Sequence, residues 1–168
     1  MKRLFALISV IRLLIFNTVS CSQKAEPSCR ELIVALTDSE IALPAGKIYS
    51  MSAPEGDDEY LSISLLSSLY GNGSEPALLD CWLDCAVFLS RGEHPCEFAV
   101  FLCDSHNSAT DTARLLCNRL DLIRHAKSSE NYCDMLEGAT VTVSENFVAL
   151  IVSGDTPRAV AVLRAKMR

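Results

Sequence analysis

The residues best suited to chemistry in this chain are His94, Cys96, Cys103 and His106. Thiolates and imidazoles are the ligands that zinc and copper prefer. A thiol beside an imidazole also supplies a nucleophile with its base. The four residues bracket one apolar stretch, Glu97 to Cys103, which makes them neighbours in sequence. Their spacing works against a single centre. Cys96 and Cys103 are seven positions apart and point to opposite faces if they share a strand. No C-x2-C pair occurs to build a tetrahedron from one turn. Many serines are present, but none lies in a G-x-S-x-G elbow. His125 falls near the end of an expected helix, where the helix dipole alone favours a charged imidazole. Asp57, Asp58 and Glu59 lack the alternating ligands and glycine of an EF-hand and read as a solvated turn. These residues therefore support no catalytic, cofactor-binding or metal assignment. The Cys96–Cys103–His106 region stands as the alternative reading, an exported hydrolase or a thiol or metal-binding protein.

A different thiol carries more information. Lys2 and Arg3 precede an apolar run from Leu4 to Phe16, followed by Thr18-Val19-Ser20-Cys21. A run of this length fits a signal-peptide core of roughly 7–15 residues and falls short of the roughly 20 needed to span a bilayer. A cysteine after a small residue at the end of such a signal is the layout of a lipoprotein precursor. Acyl chains on Cys21 would contribute about 0.8 kcal/mol of membrane affinity per buried methylene. Arg12 inside the run and Thr18 in place of the usual leucine depart from the pattern. An ordinary cleaved signal, or an uncleaved signal anchor, is the other reading of the same residues. The expected organisation is a signal peptide over 1–21 with Cys21 as the lipidation site, a tether over 22–28 and a single domain over 29–168.

Charge excludes one class of partner. The whole chain has a formal charge of −6, and loss of Lys2, Arg3 and Arg12 with the signal leaves −9. An acidic domain without a basic stripe gains nothing from phosphates, so no nucleic-acid partner is expected. Anionic lipid repels it as well, which leaves the N-terminal segment as its membrane contact. Beyond Cys21 stand Cys29, Cys81, Cys85, Cys96, Cys103, Cys117 and Cys133. Export invites disulfides, but an odd number leaves at least one thiol unpaired. The plainer reading is that cysteine serves here as a small buried hydrophobe.

The elements that would position these residues are clearest in the second half. Cys29 to Leu36 is weakly helical in pattern, and Ala42 to Met51, with Pro44 and Gly46, reads as irregular. Tyr60 to Tyr70 carries a stripe of Leu61, Leu65, Leu66 and Leu69, with Gly71-Asn72-Gly73 as its stop. Ala86 to Leu89 and Glu97 to Cys103 are strand candidates, the second apolar on both faces and hence central. Ser108 with Asp111 signals the start of a helix reaching about Ala126, with Arg114, Asn118, Asp121 and Arg124 outward. Ala139 to Val143, a turn at Ser144-Glu145-Asn146, and Phe147 to Val152 form a hairpin pattern. Thr156 as N-cap and Pro157 at the first helical position open a final helix with Ala159, Val160, Leu163 and Met167 inward. The expected fold is α+β: a four-stranded, mostly antiparallel sheet in the order β-β-α-β-β-α from about residue 86. Helices pack on one face, and a loop-rich helical part precedes the sheet.

Several segments in this order resemble one family. Leu69-Tyr70-Gly71, Cys96-Glu97-Phe98-Ala99-Val100-Phe101, Arg119-Leu120-Asp121, Ala139-Thr140-Val141 and Asn146-Phe147-Val148 together resemble DUF4358, from roughly residue 29 onward. Members of that family are small, exported, lipoprotein-like bacterial domains. The resemblance implies an envelope protein and brings no catalytic residues with it. Two departures stand out: the abundance of cysteine, and Glu145-Asn146-Phe147 where a glycine-containing hairpin is expected. The combined expectation is an exported, lipid-anchored protein on the extracytoplasmic side of the cell membrane, or secreted, acting as a binding or structural module. Its partners would be the membrane, through the N-terminal segment, and an envelope protein or small ligand.

Overall fold

The computed structural model describes residues 26–71, 78–126 and 130–167. Cys21, the expected export segment, most of the expected tether and the expected Asn72-Gly73 stop lie outside them. The chain runs α1 (Cys29–Thr37), β1 (Gly46–Ser50), α2 (Ile63–Tyr70), β2 (Trp82–Ser90), β3 (Glu97–Cys103) and α3 (His106–Ala126). It continues through α4 (Cys133–Gly138), β4 (Thr140–Ser144), β5 (Phe147–Val152) and α5 (Thr156–Lys166). The strands make one open antiparallel sheet in the order β1-β2-β3-β5-β4. The class is α+β with a central β3, but the sheet has five strands rather than four.

The additional strand is β1, in the stretch expected to be irregular. Pro44 precedes it and so removes no ladder bond. Gly46 opens it because nothing larger fits. A Cβ there would lie 2.7 Å from the Leu89 carbonyl oxygen and closer still to the Phe88 ring. The glycine that reads as a breaker is therefore the residue that lets β1 pair with β2.

Helices cover both faces of the sheet, not one. Phe98 and Val100 of β3 point to one side, and Ala99 and Phe101 to the other, all buried. A strand apolar on both faces needs cover on both. Helices α2, α3 and α4 bury Val87, Phe101, Val148 and Leu150 through Leu66, Leu116, Leu120 and Leu136. Helices α1 and α5 bury Phe88, Phe98, Ala149 and Ile151 through Leu32, Ile33, Leu36, Ala159 and Leu163. Each Leu, Ile or Phe so buried contributes on the order of 1.5–3 kcal/mol.

Local chemistry sets the element ends. Ser28, the last residue of the expected tether, caps α1 in a reciprocal box with Glu31. Ser62 caps α2, and Gly71 closes it. Helix α3 starts before the expected cap: Ser105 Oγ accepts from the Ser108 N–H at 3.2 Å. Asp155, one residue ahead of Thr156, caps α5 by accepting from the Arg158 N–H. Arg124, expected outward, instead donates to the carbonyls of Leu136 and Ala139 and ties α4 to α3. In the hairpin turn, Glu145 takes a positive φ of 54° without glycine.

Candidate functional site

The four residues singled out for chemistry do not meet. His94 and Cys96 lie before β3, whereas Cys103 ends it and His106 opens α3. Six strand residues, Glu97 to Leu102, lie between Cys96 and Cys103 and separate the pairs by roughly 20 Å. Cys96 packs into the core under α1 and α5, and Cys103 into the opposite core. Among the described residues, no three His, Cys, Asp or Glu side chains converge as metal ligands would. The seven cysteines among them are all unbridged; Cys29, Cys85, Cys96 and Cys103 are buried, and Cys117 and Cys133 exposed.

The structure instead assembles a site at the His94 end of β3. A half-open pocket of about 410 Å³ lies between the β2–β3 connection and α3. Leu69, Leu89, Leu122 and Ile123 give it apolar walls, and His94, Glu97 and Arg119 supply its polar groups. Glu97 opens a strand that is otherwise apolar and is only 3% exposed. A carboxylate there is tolerable only with a charged partner. Arg119 provides it: Nη2 donates to Oε2 at 2.7 Å, and Nε lies 3.3 and 3.2 Å from Oε1 and Oε2. Tyr70, at the end of α2, donates its hydroxyl to Oε1 at 3.3 Å.

These contacts fix the charges. Burial works against the Arg119 cation, but the hydrogen bonds and charge of Glu97 outweigh it and hold the guanidinium above its ordinary range. Burial, then the Glu97 charge, push the Tyr70 phenol well up, so it stays a neutral donor. Burial and the Glu97 charge push the Cys96 thiol up to about 12. Thiolate, the nucleophilic form, is thus suppressed next to His94. His94 also spends Nδ1 on the Cys96 backbone N–H, 3.2 Å away, and not on its sulfur. With Nδ1 accepting, the proton of the neutral ring sits on Nε2. The Ser90 hydroxyl holds the His94 carbonyl at 2.5 Å, and the Tyr132 ring packs edge-on against the imidazole.

The pocket therefore combines apolar walls with two donors that no acceptor among the described residues fills, His94 Nε2–H and Arg119 Nη1. Sequence reading singled out His94 and passed over Glu97, Arg119 and Tyr70 as a group. The signal for them was a lone carboxylate in a strand apolar on both faces. Compared with known proteins, the chain matches no family model, no curated protein and no solved structure.

Proposed function

We propose that the chain is an exported envelope protein, lipid-anchored through Cys21, whose domain binds a small amphipathic ligand bearing an acceptor head such as a carboxylate. The location rests on the signal-like N-terminus and the DUF4358-like pattern of the domain. The binding role rests on one observation: an apolar pocket, in the size range of small-molecule sites, with the buried Glu97 carboxylate paired to Arg119 and donors unfilled among the described residues at its polar end. No helix among the described residues is long and apolar enough to cross a membrane. Attachment in this reading belongs to the N-terminal cysteine.

Two measurements test the proposal separately. Mass spectrometry of the mature protein should find an acylated Cys21 as its first residue, and Cys21→Ala should release the domain from membranes; an unmodified Cys21, with the N-terminus cleaved or not, refutes the lipid anchor. Binding is tested by titrating the full chain with medium-chain carboxylates and following amide shifts around His94 and Leu122. Leu122→Trp, which narrows the mouth at an exposed position, should abolish the response. Shifts that survive Leu122→Trp, or no saturable shift at all, refute the pocket.

A further inference from the structure

The two edges of the sheet are treated differently. At the β1 edge, the following loop folds back: the Ser50 N–H donates to the Glu59 carbonyl, and its own carbonyl accepts from the Leu61 N–H. Lys47 adds a charge there and pairs with Asp58. A guarded, charged edge discourages strand pairing. Edge β4, Thr140-Val141-Thr142-Val143-Ser144, has no charge and no proline. Ser144 pairs with Phe147 across a two-residue turn, so these two exchange both ladder bonds. Thr142 and Thr140 then also bond toward β5, and Val141 and Val143 direct their N–H and C=O groups outward. Among the described residues, no backbone group beyond the sheet meets them. One weak contact, the Thr140 hydroxyl to the Val141 carbonyl at 3.4 Å, is the exception among side chains. The free run stops at Ala139, whose carbonyl accepts from Arg124.

The sequence of this edge points to its occupant. Thr-Val-Thr-Val-Ser reads nearly the same in both directions, which is the condition for an antiparallel strand to pair with its own copy about a two-fold axis. Centred on Thr142, such pairing sets Val141 opposite Val143 of the second copy, and Thr140 opposite its Ser144. The two outward-facing residues of each strand then exchange hydrogen bonds with each other, in phase with the existing ladder. Val143, 43% exposed, gains Val141 of the second copy on its own face of the sheet. Although the domain is acidic, Glu145 falls opposite Ala139 and meets no second carboxylate.

We infer that β4 pairs with β4 of a second copy, joining two five-stranded sheets into one continuous antiparallel sheet. The test is sedimentation of the full chain in detergent under reducing conditions, comparing wild type with Val143→Lys. The expected result is a wild-type dimer whose dissociation constant rises at least about tenfold in the variant. A second variant does not depend on that substitution folding. Thr142→Cys sits at the two-fold axis, in a non-hydrogen-bonded pair at disulfide distance. With the exposed Cys117 and Cys133 replaced by serine, mild oxidation should crosslink it, whereas Thr140→Cys and the parent in the same background should not. A monomer at all concentrations, a dimer indifferent to Val143→Lys, or equal crosslinking at residues 140 and 142 overturns the inference.

Discussion

Arg119 on α3 pairs with the buried carboxylate of Glu97 on β3, with two guanidinium nitrogens on that carboxylate and the closest contact at 2.7 Å. The pair couples the pocket to the integrity of the fold. Removal of Arg119 leaves the Glu97 charge buried without its partner, which typically costs about 3–5 kcal/mol. Arg119→Ala should therefore lower the urea midpoint sharply. Arg119→Lys should recover only part of the loss, because a point charge cannot reproduce the fork. The double change Glu97→Leu with Arg119→Met should be more stable than Arg119→Ala alone. Equal stability of Arg119→Ala and wild type would show that the pair is solvated.

Thr112 is the second buried polar anchor. Its hydroxyl accepts from the Trp82 indole N–H at 2.9 Å and from the Cys103 thiol at 3.4 Å. Thr112→Val conserves shape but leaves the indole donor unpaired, a loss of about 1–3 kcal/mol. Trp82 is the only tryptophan, so its emission reports the change directly. Thr112→Ser should retain the wild-type spectrum, and a spectrum unchanged in Thr112→Val would sink the assignment.

Gly46 and Phe88 make a steric prediction. Since the added Cβ of alanine has no room beneath the Phe88 ring, Gly46→Ala should cost about 1–3 kcal/mol through forced displacement. Phe88→Leu in the same chain removes the obstructing ring. The double variant should lose less than the sum of the two single losses, measured by thermal melts. Strict additivity would mean that the two residues do not touch.

Alkali should weaken the fold. The ordinary thiol value is 9.0, and burial lifts Cys96 to about 12, with Cys29, Cys85 and Cys103 also raised, mainly by burial. Above pH 9 the unfolded chain releases protons that the folded chain keeps, so stability falls as pH rises. Each such thiol contributes a slope of up to about 1.4 kcal/mol per pH unit once ionised in the unfolded state. With a reductant present, the urea midpoint should drop steadily from about pH 9 upward, and less steeply in Cys96→Val. A flat profile through this range would place the thiols in water.

Glu145 is strained in the first position of a turn that favours glycine. Glu145→Gly should gain about 0.5–1 kcal/mol, since the relief of a left-handed side chain exceeds the added freedom of the unfolded chain. Thermal melts should show a rise of a few degrees, and a fall would indicate that the Glu145 side chain stabilises the turn.

Legibility in the sequence followed periodicity. Glu97–Cys103 and Phe147–Val152 were readable as buried strands because apolar residues run continuously through them. Helices α3 and α5 were readable from their apolar stripes, although each cap lay just upstream of the expected residue, at Ser105 and Asp155. Strand β1 was hidden because local rules score Gly46 as a breaker, whereas the Phe88 ring on the neighbouring strand is what requires it. Helix α4 is too short to show a stripe. The site was hidden for the same reason of distance. Glu97, Arg119 and Tyr70 are scattered along the chain, and only β3, α3 and α2 together make them one group.

The two ends of the domain share a core. Leu32, Ile33 and Leu36 of α1 pack in one cluster with Ala159 and Leu163 of α5, and Arg158 reaches across to Glu40. Helix α1 thus lacks part of its cover until nearly all the rest of the domain has been delivered. A ribosome or a translocation pore releases the chain from its N-terminus, so α1 emerges first and waits longest with apolar side chains in water. Strands β1 to β3 can cover part of α1 early, but the face that meets Ala159 and Leu163 is closed only once α5 has been made.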